Sequence, residues 1–259
     1  MNNKLDINEV YGPVKQGEGR SLGMDCLFLR MARCNLACIW CDTPYTWNWI
    51  GTKFQHPEKF DPTKEIHSLE TVDVFNKIMN LAQGSAIART FGTPEKFQFP
   101  IRSVVLSGGE PMLQQKKLIP LLIMLKGVGF WIEVETNGTI FPLPEFIELV
   151  DQFNCSPKLT NSGEDNKRSM IWKRDVLTRY ASLSKTIFKF VVSEEKDVRQ
   201  IRALVTIFKM ASVYLMPEGS TKERYHENEG WVKKLVEQNP SFHFSPRLHV
   251  IEHGNKRGV

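Results

Sequence analysis

The stretch "DCLFLRMARCNLACIWC", Asp25 to Cys41, begins as a short apolar run carrying one arginine and ends on three cysteines spaced C-x3-C-x2-C. The run from Asp25 to Ala32 has the length and composition of a strand, and it feeds directly into the cysteine loop. In parallel α/β folds the chemistry gathers at the C-terminal ends of strands. If that architecture holds, the cysteines sit where such chemistry belongs.

Working outward, the same grammar repeats. "SLETVDVFNKIMNLA" carries Leu69, Val72, Phe75, Ile78 and Met79 at helical spacing, with Ser68 as N-cap. "RSVVLSGGEP" is a β-branched run ending in a glycine pair, and "MLQQKKLIPLLIMLKGVG" is a helix stopped by Gly127 and Gly129, with Pro120 marking a kink or break. "FWIEVETNG" reads as strand, "LPEFIELVDQF" as helix and "NCSPK" as a strand end. "TIFKFVVS" is followed by the helical "EEKDVRQIRALVTIFKM", then "SVYLMPEG" by "EGWVKKLVEQ". Strands alternating with helices, several of the strands apolar nearly throughout, predict a parallel sheet covered by helices. Six such units curl into a partial (β/α)6 barrel, α/β in class, formed by one domain over residues 1–259. Residues 53–70, 84–100 and 159–172 read as loop insertions on it.

Composition narrows the function classes. No run of about 18 apolar residues is present and "MNNKLDINEV" lacks the features of a secretory signal, so a cytoplasmic protein with no membrane partner is expected. Five cysteines make an odd count, which argues against a disulfide framework and for metal or redox chemistry. A net charge of +5, with basic residues scattered among acids, does not indicate nucleic acid and suits an anionic small molecule equally well.

Three thiolates leave one iron of a four-iron cluster open to an outside ligand. The competing reading is a set of buried small hydrophobes, or a zinc site completed by His56 or His67, neither of which has a metal-binding partner at characteristic spacing. Cys26 and Cys155 read as core residues. The glycine pair of "SGGEP" lets backbone approach a ligand closely, although Gly-Gly-Glu-Pro is also an ordinary strand-to-helix turn. "SPK" gives a hydroxyl, a rigid turn and a cation. Thr43 offers a hard oxygen suited to magnesium, or caps a turn. Gln16 and Glu18 match a donor edge, and Arg30 suits a bidentate grip on a carboxylate.

The cysteine loop after a first strand resembles the radical S-adenosylmethionine (SAM) superfamily. Together with "VYGPVKQGEG", "CDTPYTW", "LSGGEP", "ETNG", "SPK" and the terminal "GNKRGV", the chain resembles the 7-carboxy-7-deazaguanine synthase family from end to end. The resemblance implies a lyase of the queuosine and deazapurine pathway that takes 6-carboxy-5,6,7,8-tetrahydropterin to 7-carboxy-7-deazaguanine and ammonia. It implies a [4Fe-4S] cluster on Cys34, Cys38 and Cys41, SAM, and Mg2+ on Thr43. SAM would lie against Trp40, Cys41, Asp42, Gly109, Glu110, Ser156, Pro157 and Lys158. The pterin would lie against Val14, Lys15, Gln16, Glu18, Arg30, Ser107, His249 and the Val259 carboxylate. A flavodoxin-like electron donor and a homodimer are implied as well. A glycyl-radical activase is the rival enzyme, and a zinc-bound or clusterless binding module the rival outside enzymes.

Overall fold

A computed structural model describes residues 4–83, 101–219, 221–254 and 256–258. The expected insertion at 84–100 and the terminal Val259 lie outside the described residues. Nine strands form one sheet: β1 Leu5–Lys15, β2 Asp25–Met31, β3 His67–Leu69, β4 Ser103–Gly108, β5 Trp131–Thr136, β6 Gln152–Cys155, β7 Thr186–Val192, β8 Val213–Pro217 and β9 Phe242–Phe244. The helices are α1 Pro62–Glu65, α2 Thr71–Ala82, α3 Gln115–Gly127, α4 Pro144–Leu149, α5 Arg168–Ile171, α6 Arg174–Ala181, α7 Glu195–Phe208, α8 Lys222–Glu237 and α9 Leu248–His253. None of them is long and apolar enough to cross a membrane.

The sheet order is β3-β1-β2-β4-β5-β6-β7-β8-β9. From β2 to β9 the neighbours are parallel and follow chain order without reversal. Right-handed crossovers that always step the same way put their helices on one face, so the sheet curls around the other. The six expected strands are β2 and β4 to β8, and the sheet stays open, as a partial barrel must. β9 adds a seventh parallel strand at one edge. The antiparallel β1 and β3 extend the other, where the polar, bulged "LDINEVYGPVK" gives little alternation to read.

Each inner strand shows the two-faced pattern that positions the site. In β2, Leu27, Leu29 and Met31 join the apolar core, while Phe28 and Arg30 face the concave side. In β5, Ile132 and Val134 go to the core, and Glu133 and Glu135 turn the other way. In β7, Phe188, Phe190 and Val192 are core residues, whereas Lys189 and Val191 line the concave cavity.

Several expected boundaries move. Ser68 does not cap α2: it lies in β3, where its hydroxyl donates to Asp6 at 2.5 Å, and α2 starts at Thr71. Residues 53–70 therefore contain a helical turn and a strand paired to β1, not loop alone, and 159–172 contains α5. Pro120 sits inside α3 without ending it. Helix α4 stops at Leu149, because Val150 is extended and Asp151 accepts from the Ile132 amide (2.7 Å) and from Lys126, so Gln152 and Phe153 belong to β6. Helix α8 begins earlier than "EGWVKKLVEQ", at Lys222, on a Thr221 cap.

Candidate active site

A cavity of about 240 Å³ opens on the concave side at the C-terminal ends of the strands. Cys34, Cys38 and Cys41 all line it, from the loop that follows β2. None of the five cysteines is bridged; Cys26 and Cys155 are buried elsewhere in the structure, Cys26 donating to the Val14 carbonyl at 3.5 Å. Each cavity sulfur has an N–H donor near it: the Leu36 amide on Cys34 (3.5 Å), Asn166 on Cys38 (3.3 Å) and the Trp47 indole on Cys41 (3.3 Å), with Asn137 at 4.0 Å from Cys34. Such donors stabilise anionic sulfur. Burial meanwhile pushes all three thiols up, Cys38 to about 12. His56 turns to the Cys41 carbonyl (3.1 Å), and among the described residues no group of three or more His, Cys, Asp or Glu side chains is set to hold a single metal ion.

Next to the sulfurs, the "SGGEP" turn crosses the end of β2 at close range. A Cβ on Gly108 would stand 2.2 Å from the Met31 carbonyl oxygen, and one on Gly109 2.0 Å from that of Arg33. Only glycine allows this crossing. Glu110 is fully buried, and its carboxylate accepts from the Met112 amide (3.0 Å), the Thr136 hydroxyl (2.8 Å) and the Asn137 amide (2.7 Å). Burial raises its pKa, and those bonds pull against the rise. Glu110 thus ties the turn to the end of β5 instead of facing the cavity. Ser107 does face it, with a buried hydroxyl that has no hydrogen-bond partner among the described residues. Ser156 and Lys158 line the cavity, the Lys158 ammonium bonding Ser156 (3.0 Å) and lying 5.3 Å from the Trp40 ring; Pro157 is buried between them.

The far wall is a charged network. Lys189, 1% exposed, bonds Glu18 (2.9 Å) and Glu135 (2.6 Å). Arg247 pairs with Glu18 (3.3 Å), Asp42 (2.5 Å) and the Gly219 carbonyl (2.6 Å). Burial raises the Glu18 carboxyl, but Lys189 and Arg247 outweigh it and bring it down to about 2. Burial likewise works against Asp42, yet the His249 contact and Arg247 hold it well below the usual carboxylate range. Gln16 donates to Glu133 (2.6 Å) and Glu135 (3.3 Å), and Asn154 to the same two carboxylates (2.5 and 2.8 Å). Burial, then the Glu135 charge, push Glu133 up, against bonds from Ser21 and Gln16. Arg30 is held by Glu9 (2.8 Å) and the Tyr11 hydroxyl (2.6 Å).

Of the remaining expected residues, Thr43 and His249 line the cavity. The Thr43 hydroxyl lies 3.6 Å from the Cys41 sulfur and makes no cap bond to the turn it starts. Val14 sits in β1 outside the lining, whereas Lys15 belongs to the lining, with its ammonium turned to Asp25 (2.8 Å).

The chain is 31% identical over 258 residues to a 7-carboxy-7-deazaguanine synthase of Pyrobaculum aerophilum, covering 98% of this chain and 97% of that protein. The chain belongs to the 7-carboxy-7-deazaguanine synthase family. A relative of the same name from Rhodopirellula baltica is 27% identical over 268 residues, covering 98% of this chain and 89% of its own. Among solved structures, QueE from Escherichia coli aligns with a TM-score of 0.62 at 21% identity over 94% of this chain and 93% of that one. Streptococcus suis SuiB bound to SAM aligns at 0.52 and 11% identity, over 85% of this chain and 50% of that one. Both likenesses show the fold. The chain matches no family model.

Membership in the 7-carboxy-7-deazaguanine synthase family implies a [4Fe-4S] cluster and SAM. The residues present fit that pair: three sulfurs with N–H donors, a backbone cradle that admits no Cβ, and the unpartnered Ser107 hydroxyl border one space. What the sequence reading missed in this deazaguanine-synthase site is the support: Asn166, Asn137, Glu133, Asn154, Lys189 and Arg247. The charged residues inside "FWIEVE" and "TIFKFVV" were the available signal.

Proposed function

We propose that the chain converts 6-carboxy-5,6,7,8-tetrahydropterin to 7-carboxy-7-deazaguanine with release of ammonia. Cys34, Cys38 and Cys41 would hold the cluster. Gly109, Ser156 and Lys158, with Trp40 and the Cys41–Asp42 backbone beside the sulfurs, would hold SAM. When bound, a cluster held by these cysteines would supply the reductive cleavage of SAM and, through it, hydrogen-atom abstraction from C6 of the pterin. The chain's own groups bind, orient and shield. Arg30 offers a cation to the substrate carboxylate, while Gln16 and Glu135 offer an amide and a carboxylate to a heterocycle edge. Lys189 and Arg247 keep Glu18 ionised. Ser107 and His249 complete the lining, and the chain terminus at Val259 belongs to the same proposal.

Thr43 is proposed as the magnesium ligand, on the support of a cavity-facing hydroxyl not spent on capping. A flavodoxin-like donor and a homodimer are carried by the resemblance alone, and a cytoplasmic setting by the composition of the sequence.

One observation favours a small substrate over the polypeptide of an activase. Gly254, Lys256 and Gly258 line the same cavity as the cysteines, so the C-terminal tail lies across a space that a polypeptide groove would need open. Anaerobic incubation with the carboxypterin, SAM and a reductant, followed by mass spectrometry, tests the reading. A product lighter than the pterin by one ammonia is expected. SAM cleavage with the pterin left intact would overturn it.

A further inference from the structure

We propose that Arg257 is the positioning residue of the C-terminal strap and that Glu65 is the catch on which it closes. The consequence for substrate rests on the pterin reading; the clasp itself does not.

The Arg257 guanidinium donates to both oxygens of Glu65, at 3.1 to 3.2 Å, and stacks with its carbon 3.5 Å from the Tyr45 ring centroid. Phe60 adds a second ring at 5.3 Å. The receptor is built in advance. Asn8 donates to both the Glu65 carboxylate and the Glu65 carbonyl at 2.8 Å, and Tyr45 is 5% exposed, edge-on to Phe60. A planar cation that stacks and forks at once is what this receptor fits, and an ammonium cannot do both.

The clasp reaches the cavity by two routes. Lys256 and Gly258, on either side of Arg257, line it. A Cβ on Gly258 would lie 3.8 Å from the Glu9 carboxylate, the group that holds Arg30 at 2.8 Å. Tyr45 also carries the Arg30 guanidinium 5.8 Å from its ring centroid. One ring thus meets the cation of the strap and the cation of the cavity wall.

Arg257 is 42% exposed and Glu65 14%. An ion pair half in water is weak on its own, and stacking strengthens it modestly. The strap is therefore closed at rest and cheap to release, as an entrance for substrate and an exit for product requires. It also gives the 53–70 segment, which carries no assignable motif, a role: it presents the catch.

Hydrogen exchange followed by mass spectrometry on the whole chain tests the clasp without turnover. Arg257→Ala and Glu65→Gln should each speed exchange of the 256–258 amides about fivefold, and the double variant should be no faster than Arg257→Ala alone. Arg257→Lys should fall between. In the carboxypterin assay Arg257→Ala should raise KM about fivefold and change kcat less. Unchanged tail exchange, or additive effects in the double variant, would overturn the clasp whatever the substrate is. Faster exchange, from a parent chain that leaves the carboxypterin untouched, would uphold the clasp and overturn the pterin reading.

Discussion

Replacing Lys189 with methionine removes one charge from the most enclosed part of the site while keeping much of the side chain's length. The ammonium is 1% exposed and bonds Glu18 at 2.9 Å and Glu135 at 2.6 Å, two carboxylates that are themselves 17% and 22% exposed. Breaking a buried pair from one side costs roughly 3–5 kcal/mol, because the partner is left charged and unpaired. The Glu18 carboxyl points the same way: Lys189, and behind it Arg247, hold it below the ordinary carboxylate range against burial, so its ionised form stabilises the fold. For a chain of this size the cost of the broken pair is a fall in Tm of roughly 10 °C. The sign with pH follows from the depressed carboxyl. Its contribution is fully present above pH 4.5 and is lost as pH falls toward 2, so the parent loses stability over that window. In Lys189→Met the Glu18 carboxyl rises, and the variant loses less over the same window. Urea unfolding at pH 7 and at pH 4 should show a gap of several kcal/mol that narrows at the lower pH. A gap below about 1 kcal/mol, or one that is the same at both pH values, would refute the reasoning.

Other perturbations separate the parts of the site. Gly109→Ala puts a methyl 2.0 Å from the Arg33 carbonyl oxygen, where backbone has to move, and should cost about 3 kcal/mol and weaken SAM binding at least about tenfold; calorimetric SAM titration that matches the parent would remove the turn from the SAM site. Thr43→Ala should leave stability within about 0.5 kcal/mol but lower turnover and its response to added Mg2+; an unchanged Mg2+ titration takes Thr43 out of the metal site. Asn166→Ala removes the 3.3 Å donor to Cys38 and should make the cluster harder to reduce by tens of millivolts, on the order of one hydrogen bond, with an unmoved redox titration as the contrary result.

The barrel strands were readable because each is a short run with turn residues at its end, and the motifs fall where those strands stop. β1 and β3 were not, since their pairing is decided by contacts between residues 5–7 and 67–69, far apart in sequence. The same distance hid the supports of the site. Asn166 reaches Cys38 across 128 positions and Arg247 reaches Asp42 across 205, which no local pattern signals. Glu110 shows the opposite failure: its motif was plain, but only the structure reveals that both its oxygens are spent on the chain itself. Local chemistry marks which residues matter, and burial decides what each has left to offer a ligand.

Electron paramagnetic resonance of the anaerobically reconstituted and reduced protein, before and after SAM is added, bears most directly on the claim that Cys34, Cys38 and Cys41 leave one iron open. The expected result is a [4Fe-4S] signal that changes shape when SAM binds and is absent from Cys38→Ala. A signal indifferent to SAM, or a protein that takes up no inorganic sulfide, would contradict it.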